Sequence, residues 1–258
     1  MTMEFGRRNW VKLIGGAGVA AAATRVLGET TAAPGAKGMA AMPWPYRKLD
    51  PAATGERAFK GYAKGHCMYG TFEALVGATA EQLGAEYQGF PYEMMTYGAG
   101  GVQGWATLCG CLNGAAAAFQ ILSPKPEPLT DALYSWYEKT ALPDFVPQGT
   151  KFPNIPSVAG SPLCHPSISK WCIASKKKSF SAERKERCGV LTGAVAKKAA
   201  ELLNDQLLMT AALPVMIDDA TKKCASCHTD KGALIENART KMSCGGCHFA
   251  LGTKHKDI

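Results

Sequence analysis

SAERKERCGVLTGAVAKKAAELLNDQL, residues 181–207, is the stretch that decides the architecture. Val190, Leu191, Val195, Ala199, Leu202, Leu203 and Leu207 recur at the three-to-four spacing that lays one apolar stripe along a helix. Glu183 and Glu186 fall in the first turns, where carboxylates favour the positive end of the helix dipole. The pattern predicts a long helix from near Ser181 that ends before Pro214. Upstream, Met68, Phe72, Leu75, Val76, Ala80 and Leu83 repeat the same spacing from Cys67 until Gly84 offers a stop. A further helix is expected over Trp105–Ile121, with small residues at 114–118 that permit close packing. Pro124, Pro126 and Pro128 break the chain before a short helix over Asp131–Thr140, and 143–163 reads as loop. Residues 30–65 read as an N-terminal arm and 88–104 as a flexible, glycine-containing connection. Alternating strand runs are absent. The expected fold is mainly α, a helical domain over 45–213 followed by an irregular tail over 214–258.

That tail carries Cys224-Ala225-Ser226-Cys227-His228 and Cys244-Gly245-Gly246-Cys247-His248. Each is C-x-x-C-H, the attachment motif of c-type haem. Two thiols three positions apart reach the two vinyl groups on one porphyrin edge, and the adjoining histidine presents an imidazole nitrogen to the iron. Zinc knuckles or disulfide pairs are the competing reading of such cysteines, and two complete copies twenty residues apart argue against it. The sequence therefore points to two c-type haems, attached at Cys224, Cys227, Cys244 and Cys247, with His228 and His248 as proximal ligands. From Cys224 to Ile258 there are 35 residues, too few to build a core from side chains alone. The porphyrins would supply the apolar centre of the tail.

Gly6-Arg7-Arg8-Asn9-Trp10-Val11-Lys12 opens a weakly hydrophobic, alanine-rich run closed by Arg25. Paired arginines ahead of such a run read as a twin-arginine export signal over 1–33, too short to serve as a permanent membrane anchor. The expected location is the periplasm. The chain carries 29 Lys and Arg against 21 Asp and Glu, a net of +8, which falls to +6 without residues 1–33. Haem propionates would bring the holoprotein nearer neutrality. The basic runs Lys176–Lys178 and Arg184–Arg187 alternate with Glu183 and Glu186 and read as a solvated helix start. No nucleic-acid signature is present, and the expected partners are redox proteins.

Six cysteines remain: Cys67, Cys109, Cys111, Cys164, Cys172 and Cys188. Spacing alone favours disulfides or buried thiols over an iron–sulfur centre. On one helix Cys109 and Cys111 would point to different faces. The export route tips the balance, because the twin-arginine pathway carries folded proteins, often with a cofactor already inserted, whereas c-type haem is attached after export.

Cys67 in a Gly-His-Cys-Met-Tyr-Gly setting, then Cys109-Gly110-Cys111-Leu112-Asn113-Gly114-Ala115, then Cys172 and Cys188, resembles the redox-associated family named for its C, GCAxxG, C, C pattern. The middle element departs from that pattern, offering two cysteines and placing Leu112 where alanine is usual. Joined to the export leader and the C-x-x-C-H tail, the layout resembles the split-Soret cytochrome c family from about residue 45 to the end. The resemblance implies a homodimer, two bis-histidine haems per subunit held close together, and a non-haem iron–sulfur centre of the 2Fe–2S type, with the six cysteines as candidate ligands.

Beyond His228 and His248 the chain holds three histidines, His66, His165 and His255, and two of them are needed if both irons carry two imidazoles. His165, in a Leu-Cys-His-Pro stretch read as loop, is the first distal candidate. His255 is the second, reaching a haem of the neighbouring subunit. His66 is the third, with helix capping before Cys67 as its other role. Met216 and Met242 are alternative axial ligands. An iron with both axial positions filled can only exchange electrons, so electron transfer is the expected function. The alternatives are a small haem oxidoreductase acting on nitrogen or sulfur species and a redox-sensing module.

Overall fold

The computed structural model describes residues 40–208, 217–230, 232 and 238–248. The expected export leader, Met216, His255 and the side chain of Cys247 lie outside the described residues.

Helix α1 (Pro51–Phe72) begins sixteen residues before the helix expected at Cys67, inside the segment read as an arm. Asp50 caps it by accepting from Ala53 N at 2.7 Å, and Pro51 occupies the first turn, a cap worth about 1 kcal/mol. The helix reverses at Gly65 (φ −142°, ψ 19°) and His66 (φ 65°, ψ −165°). Its two arms then cross so closely that a Cβ on Gly61 would lie 3.0 Å from the Gly70 Cα. A π-turn over Glu73–Gly77 leads into α2 (Ala78–Leu83), which stops at Gly84 (φ 112°) as the sequence reading expects.

A 3₁₀ segment (Tyr92–Gly98) and a turn follow, and α3 (Gly110–Leu122) starts five residues later than expected. Helix α4 (Pro126–Lys139) absorbs two of the prolines read as breakers, because a proline at the first helical position forfeits no hydrogen bond. Strands β1 (Ala141–Leu142) and β2 (Ser157–Val158) form a two-residue antiparallel ladder. Helix α5 (Cys164–Ser175) occupies residues that contain no expected helix, so His165 stands in a first helical turn and not in a loop. Helix α6 (Ala182–Leu208) matches the long helix predicted from its stripe.

Helix α1 packs most extensively on α6 and then on α3. Phe72, Leu75, Leu112, Phe119, Leu129, Leu133, Leu191 and Val195 form the shared core, each 2% exposed or less. The tail contributes α7 (Asp219–Ala225) and the single turn α8 (Gly245–His248). No helix among the described residues is long and apolar enough to cross a membrane.

Candidate redox site

Five of the six non-motif cysteines converge on one cavity of about 330 Å³: Cys67, Cys109, Cys111, Cys164 and Cys188. Each arrives by a different local device. Cys67 follows the reversal in α1 directly. Cys188 projects from the second turn of α6. Cys109 N–H donates to Pro162 O at 2.9 Å, while Cys164 N–H donates to Thr107 O at 2.7 Å and His165 N–H to Ala106 O at 3.1 Å. This crossing, with a bridge between Leu108 and Leu163, brings residues 109 and 164 side by side. Gly110 is required there, since a Cβ would lie 2.5 Å from Cys67 Sγ and against Gly98 O.

The expectation that Cys109 and Cys111 face apart is corrected. Their sulfurs are 3.4 Å apart, because Cys109 (φ −58°, ψ 128°) stands before the first turn of α3 with extended ψ, outside the helical periodicity. The hydrogen bond from Cys111, with lesser help from the Tyr137 hydroxyl and the charge of Arg187, brings the Cys109 thiol down to about 6 despite complete burial. Burial first, and its neighbour second, pushes Cys111 well above the ordinary thiol range. The two behave as one thiol–thiolate pair. Burial also raises Cys67 to about 12 and raises Cys164. Metal loading at such a site must displace protons.

Arg187 also lines the cavity and is only 5% exposed. Its Nη1 donates to Ser167 Oγ at 3.0 Å, Ser167 also hydrogen-bonds the buried Tyr137 hydroxyl at 2.9 Å, and the Arg187 Nε has no partner. Among the described residues no Asp or Glu lines this cavity, and Arg187 makes no salt bridge. The neighbouring Glu186 is turned away to accept from Lys151 N and Phe152 N. The charge of Arg187 is met from the sulfur side, where it helps hold the Cys109 thiol low, and a buried charge with no such partner costs roughly 3–5 kcal/mol. Soft thiolates beside a buried cation that lacks a carboxylate partner therefore fit an anionic iron or iron–sulfur group. Among the described residues no three His, Cys, Asp or Glu side chains converge on one ion position.

Arg187, Ser167 and Tyr137 are absent from the sequence-based candidates. A signal for Arg187 existed: it lies three and four residues before Val190 and Leu191, a charge on the apolar stripe of α6. Cys172, a candidate from the family pattern, lies on α5 away from the cavity wall, which Cys164 occupies. His66 is exposed at the rim, its ring edge-on to Tyr62 at 5.7 Å. His165 is exposed on α5.

The cavity mouth is formed by the segment read as flexible. Gly100, Gly101, Val102, Gln103 and Gly104 all have φ between 49° and 84°, and the turn is closed by Ala106 N–H to Gly100 O at 2.9 Å and Thr107 N–H to Gly101 O at 3.2 Å. A left-handed conformation costs a residue with a side chain about 1–2 kcal/mol, and Val102 is β-branched. Val102→Gly should stabilise the holoprotein by about 0.5–1 kcal/mol after the added unfolded-state entropy is counted. A rise of the thermal midpoint checks this; an unchanged or lower midpoint contradicts it.

In the tail each motif is one helical turn. His228 N–H donates to Cys224 O at 3.0 Å and His248 N–H to Cys244 O at 2.9 Å, setting each histidine one turn after the first cysteine of its motif. Asp218 caps α7 through Thr221 N at 2.9 Å, and Thr221 Oγ1 accepts from Cys244 N at 3.1 Å. Burial first, and the neighbouring Cys224 second, raises the Cys244 thiol above its ordinary range. Ser243 N–H donates to Glu138 Oε1 at 3.2 Å, and Lys241 pairs with Glu127 and Asp131 at 2.7 Å each, fastening the tail to α4. Met242, the described one of the two alternative axial methionines, accepts through Sδ from the Ser161 hydroxyl at 3.6 Å.

The family model of a putative redox-active protein, C_GCAxxG_C_C, matches residues 69–202. A split-Soret cytochrome c of Desulfovibrio desulfuricans is 36% identical over 267 residues, covering 95% of each chain. This chain belongs to the split-Soret cytochrome c family. A solved structure, described as showing a novel iron centre in the split-Soret cytochrome c of the same species, superposes with a TM-score of 0.74 at 38% identity, over 80% of this chain and 90% of that one. The shared fold and the redox-associated family model together support a redox electron-transfer protein.

Proposed function

We propose that this chain is a periplasmic electron carrier with two c-type haems in its tail and an iron–sulfur centre of the 2Fe–2S type in the five-cysteine cavity. The observation that carries the reading is the docking of the two C-x-x-C-H turns on each other through Thr221, whose hydroxyl accepts from Cys244 N three residues ahead of Cys224. Porphyrins attached from adjoining cysteines would lie close to one another. Bound haem supplies one-electron exchange at iron, and the cavity centre supplies a second such site.

The chain's own residues do the rest. Cys224, Cys227, Cys244 and Cys247 hold the porphyrins covalently, and His228 and His248 face the irons. His165, exposed on α5, and His255 are the proposed second axial ligands, with His255 crossing to the other subunit of a homodimer. Cys67, Cys109, Cys111, Cys164 and Cys188 supply the thiolates of the cavity, whose buried walls keep water from the group they hold. The twin-arginine leader fits a protein exported with this centre already in place.

Anaerobically purified protein should yield two haems per chain by pyridine haemochrome, together with non-haem iron and acid-labile sulfide. Both ferric haems should be low-spin and refuse cyanide, and His165→Ala should turn one of them high-spin. A high-spin haem in the wild type that takes up cyanide or nitrite quickly would replace the carrier with the oxidoreductase reading.

A further inference from the structure

We propose that Arg187 is the charge-compensating residue of the cavity centre, holding its reduction potential up by donating from the guanidinium toward the thiolate-bound group. This rests on the iron–sulfur reading of the cavity. The argument is geometric and electrostatic. The side chain is 95% buried by its 5% exposure, faces the same cavity as five cysteines, and makes no salt bridge among the described residues. One end is anchored, Nη1 on Ser167 Oγ at 3.0 Å, which leaves the buried Nε without any acceptor inside the protein. Ser167 in turn holds Tyr137, whose hydroxyl bears on Cys109. Tyr137 and Arg187 both donate to Ser167 Oγ, so the donor left over on the cavity wall is the Arg187 Nε.

A guanidinium stays protonated throughout the accessible pH range, so its contribution is a fixed positive charge and not a proton switch. One-electron reduction of the centre by an external reductant adds one negative charge inside a low-dielectric pocket. A fixed cation there stabilises the reduced form more than the oxidised one, and hydrogen bonds to cluster sulfurs act in the same direction. Arg184, the other arginine on the cavity wall, is half-buried and spends its Nε on Ser179 O. It is therefore the weaker candidate.

The test is a mediated redox titration of the full holoprotein, following the cluster by EPR and the haems by absorbance. At the wild-type midpoint, Arg187→Met should lower the reduced-to-oxidised ratio of the centre at least tenfold, about 59 mV for a one-electron couple. Arg187→Lys, which keeps the charge, should stay within about threefold, and Ser167→Ala, which frees the anchored end, should fall between the two. The haem midpoints should not move. Equal shifts for the methionine and lysine variants, or wild-type titration of Arg187→Met, would overturn the inference. Loss of non-haem iron from the methionine variant alone supports it, whereas loss from both variants with haem retained would assign Arg187 a packing role and overturn it. Wild-type protein without non-haem iron would remove the underlying iron–sulfur reading, an outcome distinct from any of these.

Discussion

Gly110→Ala lowers both the stability of the protein and its non-haem iron, although alanine normally stabilises a helix relative to glycine by about 0.5–1 kcal/mol. The reversal of sign follows from geometry. Gly110 is the first residue of α3, between the two cysteines whose sulfurs are 3.4 Å apart. An added methyl would sit 2.5 Å from Cys67 Sγ, 3.2 Å from Met68 N and hard against Gly98 O. None of these is the free end of a long side chain. Two are backbone atoms, and the third is a cavity thiol fixed by the reversal in α1. Overpacking of this kind costs typically 1–3 kcal/mol, and relief requires Cys67 to leave the cavity wall. Iron and sulfide analysis beside a denaturation midpoint reads both effects. Gly89→Ala serves as the comparison, because its added methyl meets nothing within 4 Å; it should change neither quantity. Equal behaviour of the two variants would show that the approach of Cys67 to α3 has no bearing on the cavity.

The second large effect is expected from Cys224→Ser with Cys227→Ser. Removal of both thiols leaves His228 on its turn but nothing to hold a porphyrin covalently, so haem per chain should fall from two to one. Neighbouring porphyrins couple their transitions, and the paired circular-dichroism bands of the Soret region should collapse to a single feature. Non-haem iron should be unaffected, because no residue of the tail lines the five-cysteine cavity among those described. The network through Asp218, Thr221 and Cys244 N involves neither mutated side chain, and it should keep the second motif docked. Retention of two haems would refute the motif assignment. Loss of both would show that the two attachment sites cannot be filled independently.

What the amino-acid order reveals here depends on whether chemistry or packing writes the pattern. The C-x-x-C-H motifs stand out because the thioether attachment proposed for them would dictate residue type and spacing together. Helix α6 is legible because its stripe is long and large-sided. The first arm of α1 escapes the same analysis because its contact face is built from Gly55, Ala58, Gly61 and Gly65, small buried residues of little hydropathy, three of them glycines of poor helix propensity. Cys109 and Cys111 mislead periodicity for another reason: the helix boundary falls between them, and a boundary shift of a few residues decides whether two thiols diverge or meet. Family pattern alone places Cys172 with the ligands, yet Cys164 reaches the cavity, because the backbone crossing of 107–109 with 162–165 is a long-range pairing that no local window contains. Arg187 was read as part of a solvated basic run for a similar reason, since its burial depends on α5 covering it through Ser167.

The last turn of α4 touches both halves of the chemistry. Tyr137 bears on Cys109 and Ser167, and its immediate successor Glu138 receives Ser243 N–H at 3.2 Å, one residue ahead of Cys244. Both side chains are buried, at 0% and 8% exposure. A single peptide link therefore spans the interval from cavity to tail, and its length is fixed by helical geometry whatever the surrounding loops do. For the redox groups proposed in cavity and tail, tunnelling would decay exponentially with separation, and this helix turn would fix the spacing between their two supports.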